Sequence, residues 1–421
     1  MRAIRRRDFL SGAALAASST LFTGKVAFAG SDTRPRFVFI ILRGALDGLT
    51  AVPPYADPSY ARLRGEVAIG APGAPGGALR LDGLFGLHPS LVFLNESFAA
   101  QELIVFHAIA SPYRERSHFD GQDVLENGCA RAHAVQTGWI NRALAALPPD
   151  RSARRGELGI ALGQNVPLVM RGPAPVASWS PSHLAALDED TLQRITDLYS
   201  TDPVLSQRLA DALSTQSVAD ASQDDSLMAA AGENPPAQLL ASREQPKARG
   251  APYKEVIHAS AEFLKSPDGP RVAVFDALGW DTHANEGGAQ GQLAARLAGL
   301  DAGLRMLKQD LGPVWRDTVV MIATEFGRTA AVNGTRGTDH GTAAAAFLLG
   351  GAVHGGRVIA DWPGLSARAL YQGRDLAPTL NIHSVLKSVL AEHLAVPGRA
   401  LDTSVFPDSA AAKPLPGLIK A

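Results

Sequence analysis

The stretch TEFGRTAAVNGTRGTDHG, Thr324–Gly341, sits between the apolar runs TVVMIA and TAAAAFLLGG. Two segments with buried character flank one loop that carries Glu325, Arg328, Asp339 and His340. Charged groups can gather at the edge of a sheet without entering its core. The loop therefore reads as half of a metal site at the end of a strand, and other loops must supply the rest.

Working outward, five more short apolar runs resemble TVVMIA (Thr318–Ala323). They are Arg36–Leu42, Leu103–Ala108, Leu158–Leu162, Val272–Asp276 and Ala346–Leu349. They are continuous rather than alternating, which predicts strands covered on both faces. Between them lie helical patterns. Leu293, Leu297, Leu300, Leu304, Leu307 and Leu311 recur at steps of three and four, which predicts one helix over Gln292–Leu311, ended by Gly312-Pro313. A second is predicted over Ile382–Leu394. Strand–helix–strand alternation gives an α/β fold, doubly wound on a mostly parallel sheet. The middle of the chain differs: Asp188–Leu213 reads as an amphipathic helix, and Ser214–Arg249 is polar and poor in large apolar residues. Residues from about 185 to 255 are thus expected to be a helical, flexible insertion into a single domain spanning 30–421.

Composition bounds the partners. The 421 residues are 46% hydrophobic and 19% charged with a net charge of −1, so nothing points to nucleic acid or an anionic membrane surface. Forty-one glycines and 28 prolines indicate many turns. One cysteine, Cys129, can make no internal disulfide and reads as a small buried residue. Residues 1–29 read as an export signal. Arg2, Arg5, Arg6 and Arg7 form a basic head, an Ala-rich apolar stretch follows, and Ala27-Phe28-Ala29 gives an A-x-A cleavage pattern. The apolar stretch is too short to span a membrane. Arg6-Arg7-Asp8-Phe9-Leu10 matches a twin-arginine signal, which carries proteins already folded. The expectation is a periplasmic or secreted protein that uses the twin-arginine export machinery, with no transmembrane segment in its mature part.

In parallel α/β sheets ligands bind beyond the carboxyl ends of the strands. Arg43 and Asp47 follow the first run. Arg116, Ser117 and His118 follow the second, Asp281 and His283 follow Val272–Asp276, and Glu325, Arg328, Asp339 and His340 follow Thr318–Ala323. Asp47, Asp281, His283, Glu325, Asp339 and His340 are the candidate metal ligands, because carboxylate and imidazole together suit Zn, Mn and similar divalent ions. Asp339 and His340 are adjacent and would point apart, so one or two ions could be served. Ser117, His118, Arg43 and Arg328 are the candidate catalytic residues. His107 lies inside an apolar run and reads as a core histidine; His354, His383 and His393 also read as structural.

The motifs ILRGALDGLTAVPPY, SPYRERSHFDGQD, GWDTHAN, ATEFGRT with GTDHG, and GGRVIADWPGL, taken in this order over about residues 36 to 400, resemble the bacterial exported family known as domain of unknown function 1501. That family is similar to the alkaline phosphatase and sulfatase superfamily. The resemblance implies an alkaline-phosphatase-like sheet with a metal centre at its carboxyl edge, and hydrolysis of a small-molecule phosphate or sulfate ester. It places Asp47 as a first-strand metal aspartate, and Asp281 and His283 as ligands of one ion. Glu325 falls where the superfamily has an aspartate, and Asp339 and His340 stand for its late histidine loop. Ser117 is the counterpart of the nucleophile, with attack by a metal-activated hydroxide as the alternative. Arg43 or Arg328 would neutralise ester oxygens, and His118 would be an acid–base or an extra ligand. Two departures are visible: GALDG stands where the family usually has GGxDG, and ATEF carries no adjacent histidine. A formylglycine sulfatase would show Cys-x-Pro-x-Arg, and a dinucleotide enzyme would show G-x-G-x-x-G after the first strand; the sequence has neither. The alternative from a different class is an exported binding or assembly protein that keeps the fold without catalysis.

Overall fold

The strand β1, Arg36–Arg43, shows why the sheet is covered on both faces. Its side chains alternate between two cores: Val38, Ile40 and Leu42 enter one, and Phe37, Phe39 and Ile41 the other. The computed structural model describes residues 34–147, 158–181, 207 and 253–420. The expected export signal and most of the expected insertion from 185 to 255 lie outside these residues.

The strands that follow are β2 (Leu79–Arg80), β3 (Gly86–Leu87), β4 (Leu103–Ala110), β5 (Gly159–Leu162), β6 (Val176–Trp179), β7 (Val272–Leu278), β8 (Thr318–Thr324), β9 (Ala344–Leu349), β10 (Arg357–Ile359) and β11 (Leu380–Asn381). Among the described residues nine of them form one sheet, in the order β10-β4-β9-β8-β1-β7-β5-β6 with β11 beside β4; β2 and β3 pair separately. All strand pairs of the large sheet are parallel except β4–β9 and β8–β9. The fold is α/β with a mostly parallel sheet, and β9 alone runs against its neighbours. Its run AAAFLL is fully buried, so strand direction leaves no trace in its composition.

Helices cover both faces, as a doubly wound sheet requires. The principal ones are α1 (Gly48–Ala51), α2 (Tyr60–Arg64), α3 (Val92–Ala99), α4 (His118–Asn127), α5 (Trp139–Ala146), α6 (Lys254–Lys265), α7 (Gln292–Leu311) and α8 (Ile382–Glu392). The leucine stripe of α7 is buried along its whole length and belongs to the core that contains Val38. On the opposite face α8 inserts Val385, Leu386, Val389 and Leu390 beside Phe37. No described helix is long and apolar enough to cross a membrane.

The sheet sets the site by levelling its strand ends. Leu42 pairs with Ala277 of β7 and with Thr324 of β8, so β1, β7 and β8 finish together. The loops after Arg43, Leu278 and Thr324 therefore start from one rim. Because β9 begins at that same rim, residues 325–343 leave it and return to it. Truncating Leu304, 1% exposed in the α7 stripe, to alanine should cost roughly 2–5 kcal/mol, measured as a shift in the denaturant midpoint at unchanged m-value.

Candidate metal centre

Three histidines converge on one aspartate. Single donor atoms of His118, Asp281 and His340 all lie within 4.8 Å of one another. His283 joins them: its Nε2 is 2.9 Å from His340 Nε2 and 3.1 Å from Asp281 Oδ1. His340 Nε2 is 3.3 Å from the same Asp281 oxygen, and His118 Nε2 is 3.5 Å from Asp281 Oδ2. His118 begins α4, Asp281 and His283 follow β7, and His340 stands at the end of the loop after β8.

Each imidazole is oriented through its other nitrogen. His118 Nδ1 lies 2.8 Å from Glu325 Oε1, His283 Nδ1 lies 3.4 Å from Asp339 Oδ1, and His340 Nδ1 lies 3.0 Å from the carbonyl of Arg116. All three partners are acceptors, so in the neutral form of each ring Nδ1 carries the proton and Nε2 the lone pair. Three Nε2 atoms thus face one carboxylate. His118 Nε2 is buried with no hydrogen-bond partner among the described residues. A buried polar atom without a partner costs free energy, which a cation bound by the neutral ring would recover. Imidazoles whose second nitrogen is held by a carboxylate or carbonyl are the usual ligands of divalent metals. The donor set of three imidazoles and one carboxylate fits such an ion.

Glu325 and Asp339 consequently stand behind the donors rather than among them, a correction to their expected place as ligands. Glu325 is 1% exposed and accepts from Gly44 N at 2.9 Å, Gln122 Nε2 at 3.1 Å and Thr324 Oγ1 at 2.9 Å. Burial alone would raise its pKa, but the bonds from His118, Gln122 and the backbone outweigh it and keep the carboxylate ionised. The same bond to Glu325 is the main cause of a raised His118 pKa, against a smaller effect of burial. Asp339 is held ionised chiefly by the Asn333 amide at 3.0 Å. Burial, with the positive charges of His118 and Arg328 nearby, lowers His340 and favours its neutral form. Phe326 stacks on the His118 ring at 5.1 Å and packs against His340 at 5.4 Å.

Arg328 is a structural brace, not an open anion binder as expected. It is 2% exposed and donates to the carbonyls of Ala45 (2.8 Å), Thr338 (3.0 Å), Gly44 (2.6 Å) and Trp280 (3.2 Å), and to Asp281 Oδ1. Its charge and hydrogen bond hold Asp281 ionised against the effect of burial. Gly44 is required where the loops meet: a Cβ there would lie 2.6 Å from Asp281 N. The next residue, Ala45, has φ +64°, a conformation that glycine adopts freely. This is the position at which GALDG departs from GGxDG.

Asp47 does not join the cluster. It caps α1 through Leu49 N and Thr50 N and pairs with the fully buried Arg64. Glu286 shares that guanidinium at 3.6 Å and accepts from Thr50 at 3.2 Å, Thr282 at 3.0 Å and Thr338 at 2.8 Å. Arg43 is likewise engaged, with Glu126 and Asp276 both at 2.8 Å. Ser117 is the N-cap residue of α4, and its hydroxyl does not cap the helix. It stands between the Arg116 carbonyl that orients His340 and the His118 ring. Sequence reasoning missed Arg64, Glu286 and Gln122. Glu286 directly follows the GWDTHAN segment and so had a local signal; Arg64, on the short helix α2, had none.

A sheet edge with an oriented three-histidine, one-aspartate cluster defines the class: an α/β protein with a candidate metal centre. A family model described as "Protein of unknown function (DUF1501)" matches residues 107–404, and the chain belongs to that family. Among solved structures it is similar to Ps i-CgsB in complex with k-i-k-neocarrahexaose, at 11% identity and TM-score 0.40, over 90% of this chain and 77% of that one. It is also similar to the phosphonate monoester hydrolase of Agrobacterium radiobacter, at 11% identity and TM-score 0.37, over 86% and 74% of the two chains. No curated protein matches the sequence.

Burial first, and then the Asp47 charge, push Glu286 up from 4.5 to about 8. The folded chain therefore holds a proton in that window that the unfolded chain has released. Stability should fall as pH rises from about 4.5 towards 8. Glu286→Gln should flatten this slope in thermal midpoints recorded against pH.

Proposed function

We propose that the protein is an exported, metal-dependent hydrolase of phosphate or sulfate esters of small molecules. The observation that carries the reading is the convergence of the three Nε2 atoms on Asp281, each ring fixed by a separate acceptor. His118, Asp281, His283 and His340 would hold one divalent ion, Zn, Mn or similar, and Arg328 leaves Asp281 Oδ2 as the oxygen on the His118 side. A bound ion would supply Lewis-acid polarisation of the anionic ester oxygens. The export part of the reading rests on the basic head, apolar stretch and A-x-A pattern of residues 1–29.

The residues of the chain would do the rest. Glu325, Asp339 and the Arg116 carbonyl keep the rings in one tautomer, so that no reorganisation is needed when an anion arrives. Phe326 excludes water from one side of His118. Ser117, at the start of the ten-residue helix α4, has its backbone at a helix N-terminus that favours negative charge. In the serine route Ser117 Oγ displaces the alcohol from phosphorus or sulfur, and the hydroxyl proton ends on the departing alkoxide. Water then cleaves the serine ester, its hydroxyl going to phosphorus or sulfur and its proton back to Ser117.

Purified protein should contain stoichiometric divalent metal by elemental analysis and should turn over 4-nitrophenyl phosphate or sulfate. His118→Ala and Asp281→Ala should each remove the metal and lower kcat/KM by at least about 100-fold. Metal without turnover of either ester would favour the binding or assembly protein. Ser117→Ala separates the two nucleophiles: loss of turnover with metal retained supports serine attack, and unchanged turnover supports water.

A further inference from the structure

Beside the histidine cluster a large cavity has no role in the function derived so far. Its volume is about 860 Å³, within the roughly 300–1,000 Å³ usual for small-ligand sites. It adjoins the cluster through Gln122, whose Nε2 donates to Glu325 and whose Oε1 accepts from Arg43 at 3.0 Å. Phe119, next in sequence to His118, also lines it.

The lining specifies the chemistry of an occupant. Arg43 and Arg171 face three carboxylates: Asp123, Glu126 and Asp276. Arg43 already pairs with two of them, and Arg171 donates to the Val166 carbonyl at 2.9 Å. His133 stands beside Asp123 at 3.3 Å. With three carboxylates against two guanidiniums the wall offers an anion little, and it suits a neutral group rich in hydroxyl donors. Asp276 Oδ1 is buried with no hydrogen-bond partner among the described residues, an acceptor that lacks a donor. Gln136 and Asn165 supply further amide groups. At the rim the Phe119 ring is 86% exposed. An apolar ring so placed offers a face on which the C–H side of a saturated ring can stack. Hydroxyl acceptors within and an aromatic face at the mouth match a sugar-like ring, which is polar around its edge and apolar on its faces.

We propose that this cavity binds a neutral polyhydroxylated ring, the alcohol portion of the ester whose anionic group lies at the histidine cluster. The assignment of that ring as a leaving group rests on the hydrolase reading; its binding in the cavity does not.

The test is a titration of the full chain with glucose, galactose, mannose, maltose and lactose by ligand-observed NMR. Saturable binding of at least one sugar is expected, weakened about tenfold by Phe119→Ala and by Asp276→Asn. Phe119 is exposed, so its variant keeps the fold even if Asp276→Asn disturbs Arg43. Absence of binding by all five sugars, or binding that neither variant weakens, overturns the assignment. A parallel assay with 4-nitrophenyl phosphate and 4-nitrophenyl sulfate separates the two readings. Aryl ester turnover without sugar binding removes the cavity assignment and leaves the hydrolase standing. Sugar binding weakened by the variants, without turnover of any ester, does the reverse.

Discussion

The buried guanidinium of Arg328 is the constraint from which the site follows. It sits at the sheet edge and spends its donors on backbone carbonyls of the β1 loop (Gly44, Ala45), the β7 loop (Trp280) and the β8 loop (Thr338), and on the Asp281 carboxylate. A buried charge is tolerated only when it is paired and hydrogen-bonded. The three loops must therefore keep the positions that satisfy Arg328. Asp281 and His340 are carried with them, because one follows Trp280 directly and the other stands two residues beyond Thr338.

A second buried charge, Arg64, acts on the same loops. Arg64 holds Asp47 and Glu286, and Glu286 in turn takes hydroxyls from Thr282 and Thr338. Thr282 lies between Asp281 and His283, and Thr338 immediately precedes Asp339-His340. Two acidic side chains drawn together around one guanidinium thus fasten the two loops that bring most of the donors. The histidine rings have the freedom of exposed loop residues in sequence, but not in space. Their second nitrogens end on Glu325, Asp339 and the Arg116 carbonyl, so each ring presents the same atom inwards.

Much of this was legible in the chain. Continuous apolar runs marked β1, β4, β5, β7, β8 and β9, and the leucine spacing marked α7, because burial on both faces and burial on one stripe leave different periods. The short edge strands β6, β10 and β11 were missed: two to four residues carry no period. The direction of β9 was hidden for a related reason, since a strand buried on both faces reads alike in either sense. Asp281, His283 and His340 stood out because charged residues after a strand gather at one rim. Their roles could be separated from those of Glu325, Asp339 and Asp47 only in space. A carboxylate can coordinate an ion, accept an imidazole N–H, cap a helix or neutralise an arginine, and its sequence neighbours are the same in each case. Arg64 pairs with an aspartate 17 residues away, a separation that matches no helical or strand repeat.

The reversed strand β9 separates the chemistry from the architecture. Its predecessor climbs to the carboxyl rim and it departs from that rim, so residues 325–343 need no crossover helix to return the chain. Insertions, deletions or exchanges at the exposed tip of that arch, residues 334–336, can reshape what the rim recognises while every strand keeps its neighbours and Arg328 keeps its partners. Divergence among proteins built on this sheet should therefore concentrate in the tip of the arch, with its base held by Arg328 and the paired strands on either side held by their burial.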